Sequence, residues 1–435
     1  MNNSKALRAI RGRLFWFSGD PATSGNNFLS FFEDGMIIIQ NGLIIDCGDY
    51  SDMSALLDCD SKIDDVRPNI VMPGFIDTHI HFPQTQVIAS YGSQLLEWLN
   101  RYTFVEEQKF SDEEHSTRIA KYFIDTLLRN GTTTAVAFGS VHPQSVSSFF
   151  LESSTRNTRM LCGKVMMDRN APPGLRDTAE TGYAESKALI ERWHGHGRQH
   201  YAIAPRFAIT SSEAQLEAAG ALRGEYPDCY VQTHLSENKE EIETVRQLFP
   251  KAKDYTDVYD HYGLLGEKSL FGHCIHLSNR EIARLSESSS VAVHCPTSNL
   301  FLGSGLFNWR RLRADGVRVG IATDVGAGTS YSMLKTLGEA YKIQLLQGNT
   351  LNPLDAFHAI TRGNAIALGL EKLIGTIAPG MEADLIVLDS SATPEMAHRM
   401  ETVNTLEEEL FVLMTLGDDR AIKSTYIMGK IAVKK

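Results

Sequence analysis

The chain has 435 residues, of which 43% are hydrophobic and 22% are charged, a composition typical of a globular protein with a sizeable core. Asp and Glu (53) outnumber Lys and Arg (42), and the net charge of −11 excludes broad electrostatic attraction to nucleic acid or anionic lipid. No stretch approaches the ~20 apolar residues of a membrane span, and no signal peptide is evident. We therefore expect a cytoplasmic protein that has neither nucleic acid nor a membrane as partner.

Both ends of the chain are predicted to be rich in β-structure. Residues 35–47 place Asn-Gly at 41–42 between two β-branched runs, a strong hairpin signal. Near the other end, residues 383–389 predict a strand. Residues 424–433 predict a second hairpin that turns at Met-Gly, 428–429.

Between these ends, short apolar strands alternate with helical segments, which is typical of βα units and a parallel sheet. Eight such strands are predicted, at Ile70–Asp77, Thr133–Phe138, Met160–Met167, Tyr201–Phe207, Cys229–His234, Ser269–His273, Val291–Cys295 and Val317–Thr323. Right-handed crossovers between eight parallel strands can close a barrel. The predicted fold is therefore α/β, a (β/α)₈ TIM barrel.

The six cysteines are widely spaced, without a C-x-x-C pair, and we expect free thiols. They are Cys47, Cys59, Cys162, Cys229, Cys274 and Cys295. None has the spacing of a cysteine zinc site, so the sequence assigns them no chemistry.

Two histidines follow the first predicted barrel strand. His79 and His81 are two residues apart on an extended chain, so both imidazoles project to the same side and can bind one ion. His194 and His196 have the same spacing, but they follow a helical run in a glycine-rich stretch and are predicted to lie in a solvated turn. The context at the end of a barrel strand favours the first pair as metal ligands.

Later strands supply further metal-binding residues. His234 ends the fifth strand, Glu237 follows three residues later, and Asp324 ends the eighth strand, which neighbours the first once the barrel closes. Three imidazoles and one carboxylate suit Zn²⁺, with Fe²⁺ as an alternative. An open position would hold a water with a pKa near ~7, so the set predicts hydrolysis.

Other polar residues at strand ends have two interpretations each. His273 could orient the attacking water or stabilise charge on a tetrahedral intermediate, whereas His276 is expected to be solvated or capping. Arg206 needs an acceptor, either a carboxylate partner or a substrate oxygen, and the sequence favours the substrate. Phe207 either packs against a ring-shaped substrate or belongs to the core.

The motifs at residues 73–81, 234–237 and 323–324 resemble the amidohydrolase superfamily, over nearly the whole chain. Within it, further segments resemble the guanine deaminases, namely residues 82–84, 95–99, 130–134, 205–207, 234–238 and 296–299. One departure is Val105, where the family usually has proline.

This resemblance implies hydrolytic deamination of guanine at C2 to xanthine and ammonia. It implies one metal ion held by His79, His81, His234 and Asp324, because the fourth strand has no lysine to bridge a second ion. It implies three catalytic residues, Glu237 (the proton shuttle), Asp324 and His273. The implied guanine-binding residues are Gln84, Arg206, Phe207, His234, Glu237, His273 and Asp324.

The resemblance also implies a homodimer and a small β-sandwich formed by both chain ends. The expected domains are residues 1–70 and 376–435 for the two parts of the sandwich, and 71–375 for the barrel. Two alternatives stay open. The same metal residues would suit a deaminase or chlorohydrolase of another heterocycle, such as 8-oxoguanine or a triazine. A non-catalytic scaffold on the same fold would be expected to lack metal ligands.

Overall fold

The computed structural model describes residues 7–25, 28–57, 61–92 and 94–435. Cys59 lies outside these residues, and the other five cysteines are free, as predicted. Among the described residues, no helix combines the length and apolar character that crossing a membrane requires.

The described residues contain two sheets. Their strands are β1 (Arg8–Phe17), β2 (Leu29–Gln40), β3 (Leu43–Asp49), β4 (Lys62–Pro73), β5 (Phe75–His81), β6 (Thr132–Phe138), β7 (Arg159–Gly163), β8 (Val165–Met166), β9 (Gln199–Pro205), β10 (Tyr230–Leu235), β11 (Ser269–His273), β12 (Val291–His294), β13 (Arg318–Ile321), β14 (Leu385–Leu388), β15 (Ile422–Ile427) and β16 (Lys430–Lys434).

The α-helices lie mostly between the strands of the larger sheet. They are α1 (Tyr50–Met53), α2 (Leu95–Trp98), α3 (Phe104–Glu107), α4 (Glu113–Arg129), α5 (Pro143–Arg156), α6 (Ala179–Trp193), α7 (Glu213–Glu225), α8 (Lys239–Leu248), α9 (Tyr255–His261), α10 (Asn279–Glu287), α11 (Pro296–Phe301), α12 (Trp309–Ala314), α13 (Met333–Leu346), α14 (Pro353–His358), α15 (Asn364–Ala367), α16 (Pro394–Met400) and α17 (Leu406–Leu416).

The larger sheet is a parallel barrel, which confirms the predicted fold class. Its strands follow one another in the order β5, β6, β7, β9, β10, β11, β12 and β13, and the short β8 pairs with β9. Backbone hydrogen bonds join the last strand to the first. The amide of Asp324 donates to the carbonyl of His79 over 2.9 Å, and the amide of His81 donates to the carbonyl of Val325 over 2.7 Å.

The first barrel strand begins later than the sequence predicts. The predicted strand at Ile70–Asp77 spans two elements, because β4 belongs to the smaller sheet and β5 begins only at Phe75. The chain changes sheet at Gly74, where a Cβ atom would lie 2.2 Å from the Thr133 hydroxyl oxygen. A continuous apolar run in the sequence does not show where the chain changes sheet. Because β5 extends to His81, both His79 and His81 lie inside this strand.

The smaller sheet joins the two chain ends, as predicted. Its order is β16-β15-β14-β4-β1-β2-β3, so C-terminal strands pair directly with N-terminal ones. Both predicted hairpins are present. Their turn residues, at 41–42 and 428–429, all have positive φ angles, between 48° and 87°, as a tight two-residue hairpin turn requires. The domain boundaries near residues 70 and 376 stay predictions.

A buried charge cluster lies at the amino-terminal ends of the barrel strands, next to the smaller sheet. Arg198 donates to Glu382 over 2.6 Å and also to Asp384, and Arg159 donates to Glu382 over 2.9 Å. All four side chains are at most 9% exposed. Burial raises the pKa of Asp384 although Arg198 opposes this shift. The cluster therefore links the barrel to the smaller sheet at the opposite end from the histidines.

Removing Arg198 should destabilise the fold. Arg198→Met keeps a long side chain but leaves Asp384 buried without its counter-charge, so we expect the free energy of unfolding to fall by about 3–5 kcal/mol. Urea denaturation followed by circular dichroism measures this loss. Arg246→Met is the control, because the Arg246 side chain is 75% exposed in its ion pair with Glu243 and should cost under ~1 kcal/mol. Similar losses in both variants would contradict the account.

Candidate active site

The four predicted metal ligands converge at the carboxyl ends of the barrel strands. His79 and His81 lie on β5, His234 lies on β10, and Asp324 follows β13; their donor atoms are all within 4.8 Å of one another. Asp324 Oδ1 is 3.3 Å from His79 Nε2 and 3.2 Å from His81 Nε2. His234 Nε2 is 3.2 Å from His81 Nε2.

The protonation states of these groups fit a divalent cation. Burial lowers the pKa of His81 to about 3 and that of His234 well below its ordinary value, so both are neutral at pH 7. Burial raises the pKa of Asp324, but its contacts with His79 and His81 outweigh burial and lower that pKa well below the ordinary value. Neutral imidazoles and an ionised carboxylate are the ligand types that Zn²⁺ binds.

A hydrogen bond orients His234. Its Nδ1 lies 2.7 Å from the carbonyl oxygen of Arg206. Because a carbonyl only accepts, Nδ1 carries the proton, and Nε2 presents its lone pair to the centre of the four residues. The backbone carbonyl of Arg206, just after β9, therefore orients the His234 ligand on β10.

Two residues without a predicted role shape the position of His79. Asp77 accepts hydrogen bonds from the amides of His79 (3.2 Å) and Thr323 (3.1 Å), which ties the first strand to the eighth. Gly272 makes room for the imidazole, because a Cβ atom there would lie 2.5 Å from His79 Cε1. Neither role could be inferred from sequence, since each depends on a neighbouring strand.

Glu237 lies beside this centre, just before α8. Its amide donates to Glu241 Oε2 over 2.9 Å, and its Oε1 accepts from the Ser304 hydroxyl over 2.9 Å. Burial raises the pKa of Glu237 to about 8, and the charge of Asp324 adds to this rise while the Ser304 hydrogen bond opposes it. Glu237 can therefore hold a proton at neutral pH.

His273 lies between the two carboxyl groups. Its Nε2 is 3.4 Å from Glu237 Oε2 and 3.7 Å from Asp324 Oδ2. Its Nδ1 is 2.9 Å from Asn299 Oδ1, on α11. The structure thus brings all three predicted catalytic side chains together.

The backbone turns sharply where these residues leave their strands. Ser236, His273 and Asp324 have φ angles of 52°, 71° and 52°, in the left-handed region that is costly for residues other than glycine. Such strain persists where the surrounding structure imposes it, and it concentrates at functional sites.

A cavity opens over the centre. Its lining residues are His81, Gln84, Leu95, Trp98, Leu99, Arg206, Phe207, His234, Glu237, His273, Ser298, Leu302, Asp324 and Ala327. The predicted substrate-binding residues are all among them. Phe207 lines the cavity and also packs in the hydrophobic core. Its position is therefore compatible with both predicted roles, contact with a ring-shaped substrate and packing in the core.

Glu107 is a buried residue that sequence reasoning missed. Arg206 Nη1 donates to both of its carboxylate oxygens, over 2.7 and 2.9 Å, and Gln84 Nε2 donates to Oε1 over 2.9 Å. The partner of Arg206 in the structure is thus a carboxylate, the alternative that the sequence favoured less. Adjacent glutamates at 106–107 in a helical segment look like a solvated face, which hides the buried one.

Further predictions concern His276, the second H-x-H pair and Cys295. His276 Nε2 lies 2.8 Å from the carbonyl oxygen of Ser304, away from the cavity lining. His194 accepts from the Tyr201 amide over 3.1 Å, far from the four ligands in the fold, and His196 is exposed. Cys295, to which the sequence assigned no chemistry, lies in a second group of ligand atoms within 4.8 Å, together with His79, His273 and Asp324.

The sequence profile of the amidohydrolase family matches residues 70–432. The chain belongs to this family.

Among amidohydrolases, it is similar to the guanine deaminase of Escherichia coli K12, with 48% identity covering 100% of both chains. The solved E. coli structure has a TM-score of 0.97 and covers 98% of this chain and 100% of its own. A Clostridium acetobutylicum guanine deaminase with guanine bound in its active site is 29% identical, with a TM-score of 0.87 over 98% and 99% of the chains. A zinc-complexed atrazine chlorohydrolase of Arthrobacter aurescens (17% identity, TM-score 0.83, covering 98% and 95%) shares only the fold.

Loss of one imidazole should release the metal of this amidohydrolase. We expect His81→Ala to lower metal affinity by more than the roughly 10–100-fold that loss of a supporting contact costs. His196→Ala is the control, because His196 belongs to the other H-x-H pair and is exposed. Metal content after dialysis, measured by mass spectrometry, tests this prediction. Retained metal in His81→Ala, or lost metal in His196→Ala, would contradict the assignment.

Proposed function

We propose that the protein is a guanine deaminase, which hydrolyses guanine at C2 to xanthine and ammonia. The observation that carries this proposal is a single cavity, lined by three of the four metal-type ligands together with Glu237, Arg206 and Gln84. The full-length similarity to a guanine deaminase supports the same substrate.

The metal is proposed to be one Zn²⁺ per chain, with Fe²⁺ as an alternative. When bound by His79, His81, His234 and Asp324, such an ion activates water for nucleophilic attack at neutral pH. The fourth strand, β9, contains no lysine that could bridge a second ion, which supports a single ion.

Glu237 is proposed to move the protons. Its raised pKa keeps the carboxyl protonated near neutral pH, although a neighbouring cation opposes this shift by favouring the carboxylate. In this scheme the first water proton passes through Asp324 or Glu237, and Glu237 donates a proton to N3 of guanine. The second water proton passes from the new hydroxyl on C2 through Glu237 to the amine, which leaves as ammonia while the C2 carbonyl forms. His273 lies within 3.4 Å of Glu237 and within 3.7 Å of Asp324, where it can stabilise charge on the tetrahedral intermediate.

The polar residues on another part of the cavity wall orient the ring. Arg206 and Gln84 carry N–H donors that suit the O6 acceptor of guanine, and the Phe207 ring supplies an apolar wall. If O6 lies against these donors, the C2 amine can face the metal centre. The ring is thereby held for attack at C2 rather than at C6.

The alternatives have weaker support. The triazine-processing relatives share the fold alone, at 17% identity. A non-catalytic scaffold does not require four convergent ligands beside a buried glutamic acid, yet the structure has them. A homodimer stays a prediction of the family resemblance, and a cytoplasmic location stays a prediction from the sequence.

Replacing Glu237 should slow catalysis without removing the metal. Glu237→Gln has the same shape but cannot shuttle protons, so we expect kcat to fall at least ~10²-fold while metal content and thermal stability are kept. Ammonia release under saturating guanine measures kcat. A near-normal kcat would show that protons move through another residue.

Selectivity should follow from the donors on Arg206. Adenine places an amine where guanine has O6 and has no C2 amine, and a site built on a required hydrogen bond can reject such an analogue by ~10⁴-fold or more. We expect kcat/KM for guanine to exceed that for adenine by at least this factor.

2-Aminopurine isolates the contribution of Arg206, because it keeps the C2 amine but lacks O6. Wild type should process it poorly, and Arg206→Ala should reduce guanine turnover far more than 2-aminopurine turnover. Equal losses on both substrates would show that Arg206 supports the fold instead of binding O6.

A further inference from the structure

Glu107 is a fully buried carboxyl group that the proposed chemistry does not use. It ends α3, which follows a segment whose residues Leu95, Trp98 and Leu99 line the cavity, and its side chain is 0% exposed. It does not line the cavity itself. Its contacts are with two residues that do, Gln84 and Arg206.

The carboxylate determines which way the Gln84 amide points. A carboxylate only accepts hydrogen bonds, so the amide nitrogen must face Glu107. The amide oxygen then accepts from the backbone N–H of Gly326, over 3.2 Å. A flipped amide would place oxygen against the carboxylate and N–H against N–H. Glu107 therefore fixes both ends of the Gln84 side chain.

The same carboxylate anchors Arg206 through a single nitrogen. Nη1 donates to both Glu107 oxygens, so this contact does not use the N–H groups of Nε and Nη2, and Arg206 also lines the cavity. The Phe104 ring, with its centroid 5.5 Å from Arg206 Cζ, restrains the guanidinium from another side. The position of the donors is thereby set before a ligand binds.

We propose that Glu107 is a positioning residue that makes this side of the cavity present hydrogen-bond donors only. The ligand class that matches is a planar heterocycle with acceptors along one edge, such as O6 and N7 of a 6-oxopurine. This inference rests on the proposed guanine chemistry and deepens it. Glu107 selects the substrate through Gln84 and Arg206, without touching it.

Ligand binding to the zinc-loaded protein tests this role without turnover. Hypoxanthine has O6 but no C2 amine to lose, and purine lacks O6. In Glu107→Gln the amide can present either polarity to Gln84 and leaves Arg206 without its counter-charge. We expect the Kd for hypoxanthine, measured by calorimetry, to rise at least ~10-fold, as for loss of a hydrogen bond to a charged group. The Kd for purine should change by less than ~3-fold.

Glu106→Gln is the matched control. Glu106 precedes Glu107 on α3 and pairs with Lys109 over 2.6 Å, outside the cavity. Both dissociation constants should keep their wild-type values in this variant. Parallel weakening of both ligands in Glu107→Gln would show that Glu107 only holds α3 against the barrel, and unchanged hypoxanthine binding would also overturn the proposal.

Glu107→Asp keeps the test decisive if Glu107→Gln does not fold. It retains the charge but shortens the reach, so hypoxanthine should again weaken selectively, and parallel losses would overturn the proposal. The wild-type protein separates two questions, namely whether the site recognises O6 and whether Glu107 is responsible for that recognition. Equal binding of both ligands by wild type would refute recognition of O6 itself. A wild type that prefers hypoxanthine, with Glu107 variants that keep this preference, would refute only the role of Glu107.

Discussion

The barrel closure brings the carboxylate of the last strand against the histidines of the first, and the site depends on this junction. The hydrogen bond of 2.9 Å from the Asp324 amide to the His79 carbonyl fixes the two strands in register. It also gathers a carboxylate and neutral imidazoles in a dry interior, with two imidazole nitrogens only 3.2 Å apart. A cation bound among them would be attracted by the carboxylate and by the imidazole lone pairs turned toward it.

Two buried glutamic acids near this junction have opposite environments. Glu107 has Arg206 as a counter-charge, with contacts of 2.7 and 2.9 Å, so its carboxylate acts as a fixed acceptor. Glu237 accepts a hydrogen bond from the Ser304 hydroxyl and is near Asp324, and burial raises its pKa to about 8. The same side chain is thus suited to positioning in one place and to proton transfer in the other.

The sequence predicted the barrel, the β-rich ends and the convergence of the four ligands, because these follow from apolar periodicity and from polar residues at strand ends. The pairing of the two ends was implied by the family resemblance. The sequence did not predict what depends on tertiary neighbours. Glu107 follows Glu106 in a short helix, where two adjacent glutamates look like a solvated face. Gly74 does not show by itself where one apolar run changes sheet. The sequence also did not determine the partner of Arg206, because a carboxylate and a substrate oxygen can both accept hydrogen bonds from a guanidinium group. Composition and spacing carry no such pairing information.

The central claim is that this metal centre deaminates guanine, and one combined measurement tests it. Ammonia release from a panel of purines is measured on the same sample as metal content, while zinc is titrated into metal-free protein. The account predicts that activity appears with guanine, not with adenine, and rises in proportion to metal until about one ion per chain is bound. Activity that is independent of metal, or a preference for another heterocycle, would contradict it.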